Sequence, residues 1–276
     1  APLYLSRAQL KEGEARLADL MKAEQTDPSW RAGMALLNYY TAESNWDKVV
    51  ETGKKYIRKY PDNYYIGLKY ANGLCETRQY GSCISLLSKM QVLPNEGSYA
   101  GRAVYRAANL YQAMDQFSKH RYDAALKSIK ASEEWPENLG VGKPYDDQID
   151  KRLEDYLEAK VYEKKGETAK AQTLLDKVSS HPTSTRNFES AHLLTALALR
   201  DTGKQAEADK LVASWKKDFL ESKPAQWCTA VYHGNMDQAR ELLSSRYASN
   251  ETTPWETGYR DTNFDLIARL FSGVPK

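Results

Sequence analysis

Apolar residues recur along this chain at helical spacing, in stretches that short polar breaks separate. Prolines end such stretches at Pro28, Pro61 and Pro94, at two equal intervals. Each interval holds two amphipathic stretches joined by a turn. Trp46 and Tyr80, which we place in those turns, have almost the same spacing as the prolines. A repeat of this length, built from a helix, a turn and a helix, predicts an array of helix pairs that pack on their neighbours.

The regular pattern is interrupted once and then resumes more loosely. Residues 135–148, WPENLGVGKPYDDQ, hold two prolines and two glycines, so this segment cannot be helical throughout. Three more helix pairs are predicted around turns at Gly166, Gly203 and Gly234. Small residues after the turns are expected to let paired helices approach closely: Ala124, Ala131, Ala171, Ala208 and Ala239.

Both ends of the chain carry further helical patterns. One long helix is predicted over 3–26, and a closing helix over 262–271 is expected to cap the array. We therefore predict a single all-α domain. Its parts are regular repeats over 1–134, the Gly/Pro loop over 135–148, and looser repeats with a C-terminal cap over 149–276.

The repeat length and the small residue after each turn resemble the tetratricopeptide repeat superfamily. This resemblance implies a right-handed α-solenoid of about six helix pairs with capping helices. A narrower resemblance lies in the runs LPNEGSYAGRAVYRAANLYQA and YDAALKSIKASEEWPENLGVGKPYDDQIDKRLEDYLEAKVYEKKG. These look like the C-terminal helical region of a family of large bacterial proteins, frequent in gut Bacteroidetes. There, a β-rich domain similar to carbohydrate-enzyme domains precedes the repeats.

That narrower resemblance covers residues 30–166 and is most specific at 135–145. The β-rich domain is not part of this sequence, so no catalytic residue of that domain can be placed here. What the resemblance implies is therefore a helical region that works beside another domain.

Composition excludes several classes of function. The formal net charge is +2 in 276 residues, which gives no strong field to recruit nucleic acid or an anionic membrane. No apolar run approaches the roughly 18 residues of a membrane span. The 19 tyrosines and 6 tryptophans suit helix interfaces and wet binding grooves alike, because each ring carries a polar group.

Cysteine and histidine spacing gives no metal or cofactor signal. The three cysteines lack a metal-type spacing, and the four histidines are spread over different helix pairs. Cys75 and Cys83 flank one turn, and we expect them to lie close together as reduced thiols. No facing pair of acids and no nucleophile motif is present, so we expect no hydrolase activity.

Two sets of residues are candidates for binding. The first is the Gly/Pro loop, where glycines let backbone amides approach a ligand and aromatic rings could stack on a sugar. Its candidates are Trp135, Asn138, Gly140, Gly142, Lys143 and Tyr145. Alternatively, this loop is only a linker that turns the array. The second set is the groove that the resemblance implies along the first helix of each pair. The candidates there are Arg31, Asn38, Tyr65, Asn72, Arg106 and Asn109, followed by Gln116, Tyr156 and Lys160.

We therefore expect a non-enzymatic interaction module that binds another protein or an adjacent domain, without a cofactor. One alternative is the helical part of a carbohydrate-active enzyme whose substrate site is completed by the loop over 135–145. Another is an array that binds a glycan. The chain starts at Ala1 rather than Met, which fits a mature form after signal cleavage or a piece of a longer protein. An extracytoplasmic location is favoured over a cytoplasmic one.

Overall fold

A computed structural model of the chain describes residues 1–94, 99–183, 187–248 and 261–272. This part of the chain holds fifteen α-helices and no strand, which confirms the all-α prediction. The chain divides into two compact units. The first unit comprises Ala1–Gln112 and Ala131–Pro144, and the second comprises Ala113–Lys130 and Tyr145–Lys276.

Six helices lie wholly in the first unit, and two more contribute to both units. The six are α1 (Pro2–Ala8), α2 (Gly13–Thr26), α3 (Trp30–Ala42), α4 (Trp46–Lys59), α5 (Tyr64–Glu76) and α6 (Tyr80–Leu87). The two shared helices are α7 (Ala100–Ser118) and α8 (Tyr122–Ser132).

Seven helices of the described ranges lie in the second unit. They are α9 (Arg152–Lys165), α10 (Thr168–Ser179), α11 (Ala191–Asp201), α12 (Gln205–Asp218), α13 (Lys223–Tyr232), α14 (Met236–Ala248) and α15 (Phe264–Ser272). The segment before α9 holds two one-turn 3-10 helices, Glu137–Leu139 and Asp146–Gln148, and no α-helix.

One turn geometry recurs six times in the described ranges, twice in the first unit and four times in the second. In each turn a residue with positive φ follows the first helix of a pair. These residues are Ser44, Arg78, His120, Gly166, Gly203 and Gly234. The amide of each donates to the carbonyl three residues earlier over 3.0–3.1 Å, and the next amide donates five residues back over 2.8–3.0 Å. This is the Schellman arrangement, which satisfies carbonyls that the helix end leaves open.

The six turns place the second helix of each pair in one register. Five residues after the positive-φ position comes a buried residue, at most 2% exposed, in every one of these pairs. These residues are Val49, Cys83, Ala125, Ala171, Ala208 and Ala239. The small-residue prediction is therefore right at Ala171, Ala208 and Ala239. It is wrong in the third pair, where Ala124 and Ala131 are only half-buried.

In the third pair the buried small residues lie one position after the predicted alanines. His120, not a glycine, takes the left-handed position there, so the turn lacks the expected signal. Ala125 and Ser132 are the fully buried residues, each one position beyond the predicted alanine.

The N-terminal helix also differs from its prediction. It breaks between Ala8 and Gly13, where Gly13 has φ +52°, and α1 packs against α2 as a pair. The single long helix over 3–26 is therefore wrong, although α2 ends at Thr26, just before Pro28 as predicted.

Repeat packing in the first unit is visible in two close approaches that are one repeat apart. A Cβ at Gly33 of α3 would lie 2.5 Å from the Tyr56 ring, and one at Gly67 of α5 would lie 2.5 Å from Met90 Cε. Gly67 follows Gly33 by the same number of residues as Met90 follows Tyr56. In three cases the first helix of a pair also contacts that of the next: α3 with α5, α9 with α11, and α11 with α13.

The three cysteines are buried, and none of them is in a disulfide. The Cys83 thiol donates to the Ala71 carbonyl over 3.1 Å inside the first unit. Burial raises the pKa of Cys228, with the Asp261 carboxylate as a smaller cause. The Cys228 thiol is consequently a poor nucleophile.

Candidate binding surfaces

The first half of the Gly/Pro loop is fastened to the end of α6. The Asn138 amide nitrogen donates to the carbonyls of Leu87 and Met90 over 2.9 and 2.7 Å, and the Val92 amide donates to the Asn138 carbonyl over 2.8 Å. Leu139 is fully buried. Asn138 therefore satisfies carbonyls at a helix end, which is a structural task rather than the ligand contact we expected.

Gly140 and Trp135 also have structural partners. Gly140 has φ +74°, and a Cβ there would lie 2.8 Å from the Val92 carbonyl oxygen, so only glycine fits. The guanidinium of Arg102 lies 4.5 Å from the centre of the Trp135 ring, and it donates to the Ser132 carbonyl over 2.7 Å.

The second half of the loop is exposed. Gly142 has no atom within 4 Å of a Cβ position, and Lys143 is exposed. Tyr145, which belongs to the second unit, is 79% exposed. The loop candidates thus divide into three that hold the loop (Trp135, Asn138 and Gly140) and three that face solvent.

A second candidate surface follows the first helices of the pairs. We number its positions back from the left-handed turn residue and define the first-helix positions as −13, −10 and −6. In the first unit they include Arg31 and Asn38 on α3, and Tyr65 and Asn72 on α5. Arg31 and Asn38 are exposed, Tyr65 is 54% exposed, and Asn72 is half-buried.

Aromatic rings border these positions. The Arg31 guanidinium lies 4.5 Å from the centre of the Trp30 ring, and the rings of Tyr64 and Tyr65 are 4.2 Å apart. Since α3 and α5 pack together, equivalent side chains stand on neighbouring helices.

Among the groove residues predicted on α7, Arg106 and Asn109 each lie one residue before a first-helix position. Asn109 is 3% exposed and donates to the Tyr105 carbonyl of its own helix over 2.9 Å, so it lies in the core. The turn at His120 makes Ala107 and Met114 the equivalents of Tyr65 and Asn72. Arg106 is half-buried and lies one residue before such a position. Gln116 accepts a hydrogen bond from Ser128 over 2.8 Å.

First-helix positions in the second unit are mostly buried. Their exposure is 5% at Tyr156, 0% at Ser190 and Leu193, 3% at Leu197 and 0% at Cys228. Burial raises the pKa of the Tyr156 hydroxyl, and Asp201 adds to the effect. Lys160 stays half-buried and pairs with Asp201 over 2.6 Å. Tyr156 is therefore not the open groove residue that we expected.

Helix α15 contacts one of these positions, Tyr156, and also Trp227, which lies next to the position of Cys228 on α13. The rings of Phe271 and Tyr156 are 6.3 Å apart, and those of Phe264 and Trp227 are 5.2 Å apart. Asp261 accepts the Ser190 amide over 2.6 Å. Helix α15 thus contacts α9 and α13, and Asp261 just before it contacts the start of α11, whereas a simple cap on the last pair would not reach α9.

A buried ion cluster joins the starts of α9 and α11. Arg152 is 2% exposed and donates to Asp150 and Glu189, each over 2.8 Å. Burial alone would raise the pKa of Asp150, but hydrogen bonds and the charge of Arg152 outweigh it and lower that pKa. Glu189 and Arg152 are far apart in the chain, so no sequence pattern signals this pair.

Two histidines that the sequence places in separate helix pairs meet at this cluster. His192 is 1% exposed, with Nε2 3.8 Å from Glu189, and His181 lies 3.9 Å from Asp150. Burial lowers the pKa of His192 to about 4, and the charge of Arg152 adds to this effect. His192 is therefore neutral near pH 7. Among the described residues no group of His, Cys, Asp and Glu is arranged to hold a metal ion.

A small apolar cleft of about 270 Å³ opens among α12, α13 and α14 of the second unit. Trp215, Phe219, Leu220 and Ala225 form part of its wall, and His233 and Gln238 lie among its polar residues.

Comparison with known proteins adds no assignment. No protein-family model matches the chain, and no curated protein matches its sequence. Within the described ranges, none of the helices combines the length and the apolar content that a bilayer crossing requires.

Proposed function

We propose that this chain is a non-enzymatic interaction module, a tetratricopeptide-like right-handed α-solenoid that binds another protein or an adjacent domain. The observation that carries the proposal is the Schellman turn that recurs six times in the described ranges, with a buried residue five positions later. A repeated turn puts equivalent side chains of successive first helices side by side. In repeat proteins such surfaces are extended and preformed, which lowers the ordering cost of binding.

In the first unit, the surface best suited to a partner is the pair of first helices α3 and α5. Arg31, Asn38 and Tyr65 are exposed there, beside the rings of Trp30 and Tyr64. Aromatic and arginine side chains are the residues that most often dominate binding energy at protein interfaces.

Site-specific photo-crosslinking tests this surface. A benzophenone amino acid is placed at Asn38, at Tyr65, or at Lys54, an exposed control on the second helix α4. We expect the same protein to be captured from Asn38 and Tyr65 in an extract of the source cells, and not from Lys54. With that protein purified, Tyr65→Ala should weaken binding about tenfold or more. Equal capture from Lys54, or an unchanged affinity, would contradict the proposal.

A second candidate function uses the exposed end of the Gly/Pro loop. Lys143 and Tyr145 are exposed, which supports contact with a neighbouring carbohydrate-active domain or a glycan. The single variants Lys143→Ala and Tyr145→Ala distinguish this role: each should weaken domain or glycan binding and leave crosslinking at Tyr65 unchanged. Unchanged binding in both variants would show that the loop has no such role.

A further inference from the structure

We propose that the first-helix positions of the second unit form a helix-binding groove, which α15 fills within the chain and from which an amphipathic helix of a partner protein displaces it. This inference rests on the proposed function, because it assigns the partner class to one part of the same kind of surface.

The first step is the contrast between equivalent positions. Arg31 and Tyr65 at −13 and Asn38 at −6 are exposed in the first unit, whereas Ser190 at −13 and Leu197 and Cys228 at −6 are buried in the second. These second-unit side chains are largely apolar. Open to water, they would form the kind of continuous apolar patch that marks a binding site.

The second step is the chemistry of the occupant. Phe264, Ile267, Ala268 and Phe271 lie at i, i+3, i+4 and i+7, the spacing of one helix face. Phe264, Ile267 and Ala268 are at most 3% exposed, while Asp265 is exposed. An amphipathic helix laid in an apolar groove is a recurrent mode of recognition, and α15 has its sequence pattern.

The third step is how the occupant is positioned. Phe264 meets Trp227 at one end of the helix, and Phe271 meets Tyr156 about two turns further on. Asp261 joins the start of α15 to the start of α11: it accepts the Asn263 amide over 2.9 Å and the Ser190 amide over 2.6 Å. Two aromatic anchors and one polar contact define both direction and register.

The fourth step is that α15 leaves buried polar atoms of this groove without hydrogen-bond partners. The buried polar atoms Trp227 Nε1 and Ser190 Oγ have no hydrogen-bond partner among the described residues. Phe264 of α15 nevertheless contacts the Trp227 ring, and Asp261 accepts a hydrogen bond from the Ser190 amide. Buried donors left unpaired weaken an interaction. A partner helix that carries an acceptor at these points would therefore bind in preference to α15.

The fifth step is the size of α15. A helix of nine residues is too short to be stable alone in water. Its attachment to α14 through residues 249–260 makes its binding intramolecular, so a short and weak ligand can still occupy the groove. A longer partner helix has more surface with which to compete.

A binding assay with the helix supplied as a separate peptide tests the proposal. The probe is a fluorescein-labelled, terminally blocked peptide of residues 261–272. The protein variants are the full chain, the full chain with Phe264→Ala, and a matched Thr262→Ala control at an exposed position. We expect Phe264→Ala to bind the peptide at least about tenfold more tightly than wild type, because its own α15 has lost the Trp227 contact. Thr262→Ala should bind as wild type does, and an Ile267→Asp peptide should not bind.

Amide hydrogen exchange on the unmodified full chain covers the case in which Phe264→Ala fails to fold. Excess peptide should accelerate exchange of the tethered α15 and leave α11 unchanged. If peptide changes neither, or if Phe264→Ala folds and binds no better than wild type, α15 is a fixed part of the core and the proposal is wrong. Either result leaves crosslinking at Tyr65 in the first unit unaffected, so the two proposals fail separately.

Discussion

His192 shows how one buried residue can set the pH range of this fold. The unfolded chain binds a proton on this imidazole near its ordinary pKa of 6.5, whereas the folded chain does so only near 4. The folded state therefore loses stability as the pH falls between these two values. From pH 7 to pH 4.5 the loss due to His192 should be about 2–3 kcal/mol.

Urea unfolding of wild type and His192→Gln at both pH values measures this loss. The variant should lack that part of the pH dependence. The control is His233→Gln, at an exposed position, and this variant should keep the loss that is due to His192. An identical pH dependence in His192→Gln and wild type would mean that the imidazole is not buried as described.

Gly140 and Gly142 form a matched pair within the Gly/Pro loop. Gly140→Ala should destabilise the protein by about 1–3 kcal/mol, because the left-handed backbone and the Val92 carbonyl both oppose a Cβ. Gly142→Ala should change stability by no more than about 0.5 kcal/mol, since nothing lies within 4 Å. Thermal melts of both variants provide the comparison, and equal effects would refute the anchored geometry of the loop.

At the residue scale, sequence reasoning succeeds where repeat spacing carries the information. Arg31 and Tyr65 are separated by one repeat interval, and they occupy equivalent positions on α3 and α5. Asn138 cannot be assigned in this way, because its partners at the end of α6 lie far earlier in the chain. The same holds for Arg152 and Glu189, whose pairing depends on how α9 and α11 meet.

At the scale of helices, the left-handed turn residue sets the register of each pair. Glycine marks that residue in the pairs at Gly166, Gly203 and Gly234, and the predicted register is correct there. In the third pair His120 occupies it, and two adjacent alanines leave the register ambiguous. We map the groove residues on α7 from the spacing of the prolines, and one of them, Asn109, lies in the core.

The corrected register can be tested directly in α8. Ala125→Leu should cost about 1–3 kcal/mol through overpacking, because Ala125 is fully buried. Ala124→Leu, one position away and half-buried, should cost clearly less. Denaturant unfolding of the two variants gives the order, and the reverse order would support the register predicted from the sequence.

At the scale of the whole molecule, the chain divides into two compact units. The amphipathic pattern of 262–271 identifies α15 as a helix with one buried face. Such a pattern does not say which helices that face will meet, since any apolar surface satisfies it. The contact between α15 and α9 joins residues that are far apart in the chain, so no sequence pattern predicts it.

The position of α15 on the first helices of the second unit is the point on which the account depends most. An NMR experiment on protein with labelled aromatic residues tests it directly, because ring centres 6.3 Å apart bring ring protons close enough for a nuclear Overhauser effect. We expect cross-peaks between Phe271 and Tyr156, together with those of the control pair Tyr56 and Tyr60, whose ring centres are 6.4 Å apart. If the control pair gives cross-peaks and Phe271 and Tyr156 give none, the account is contradicted.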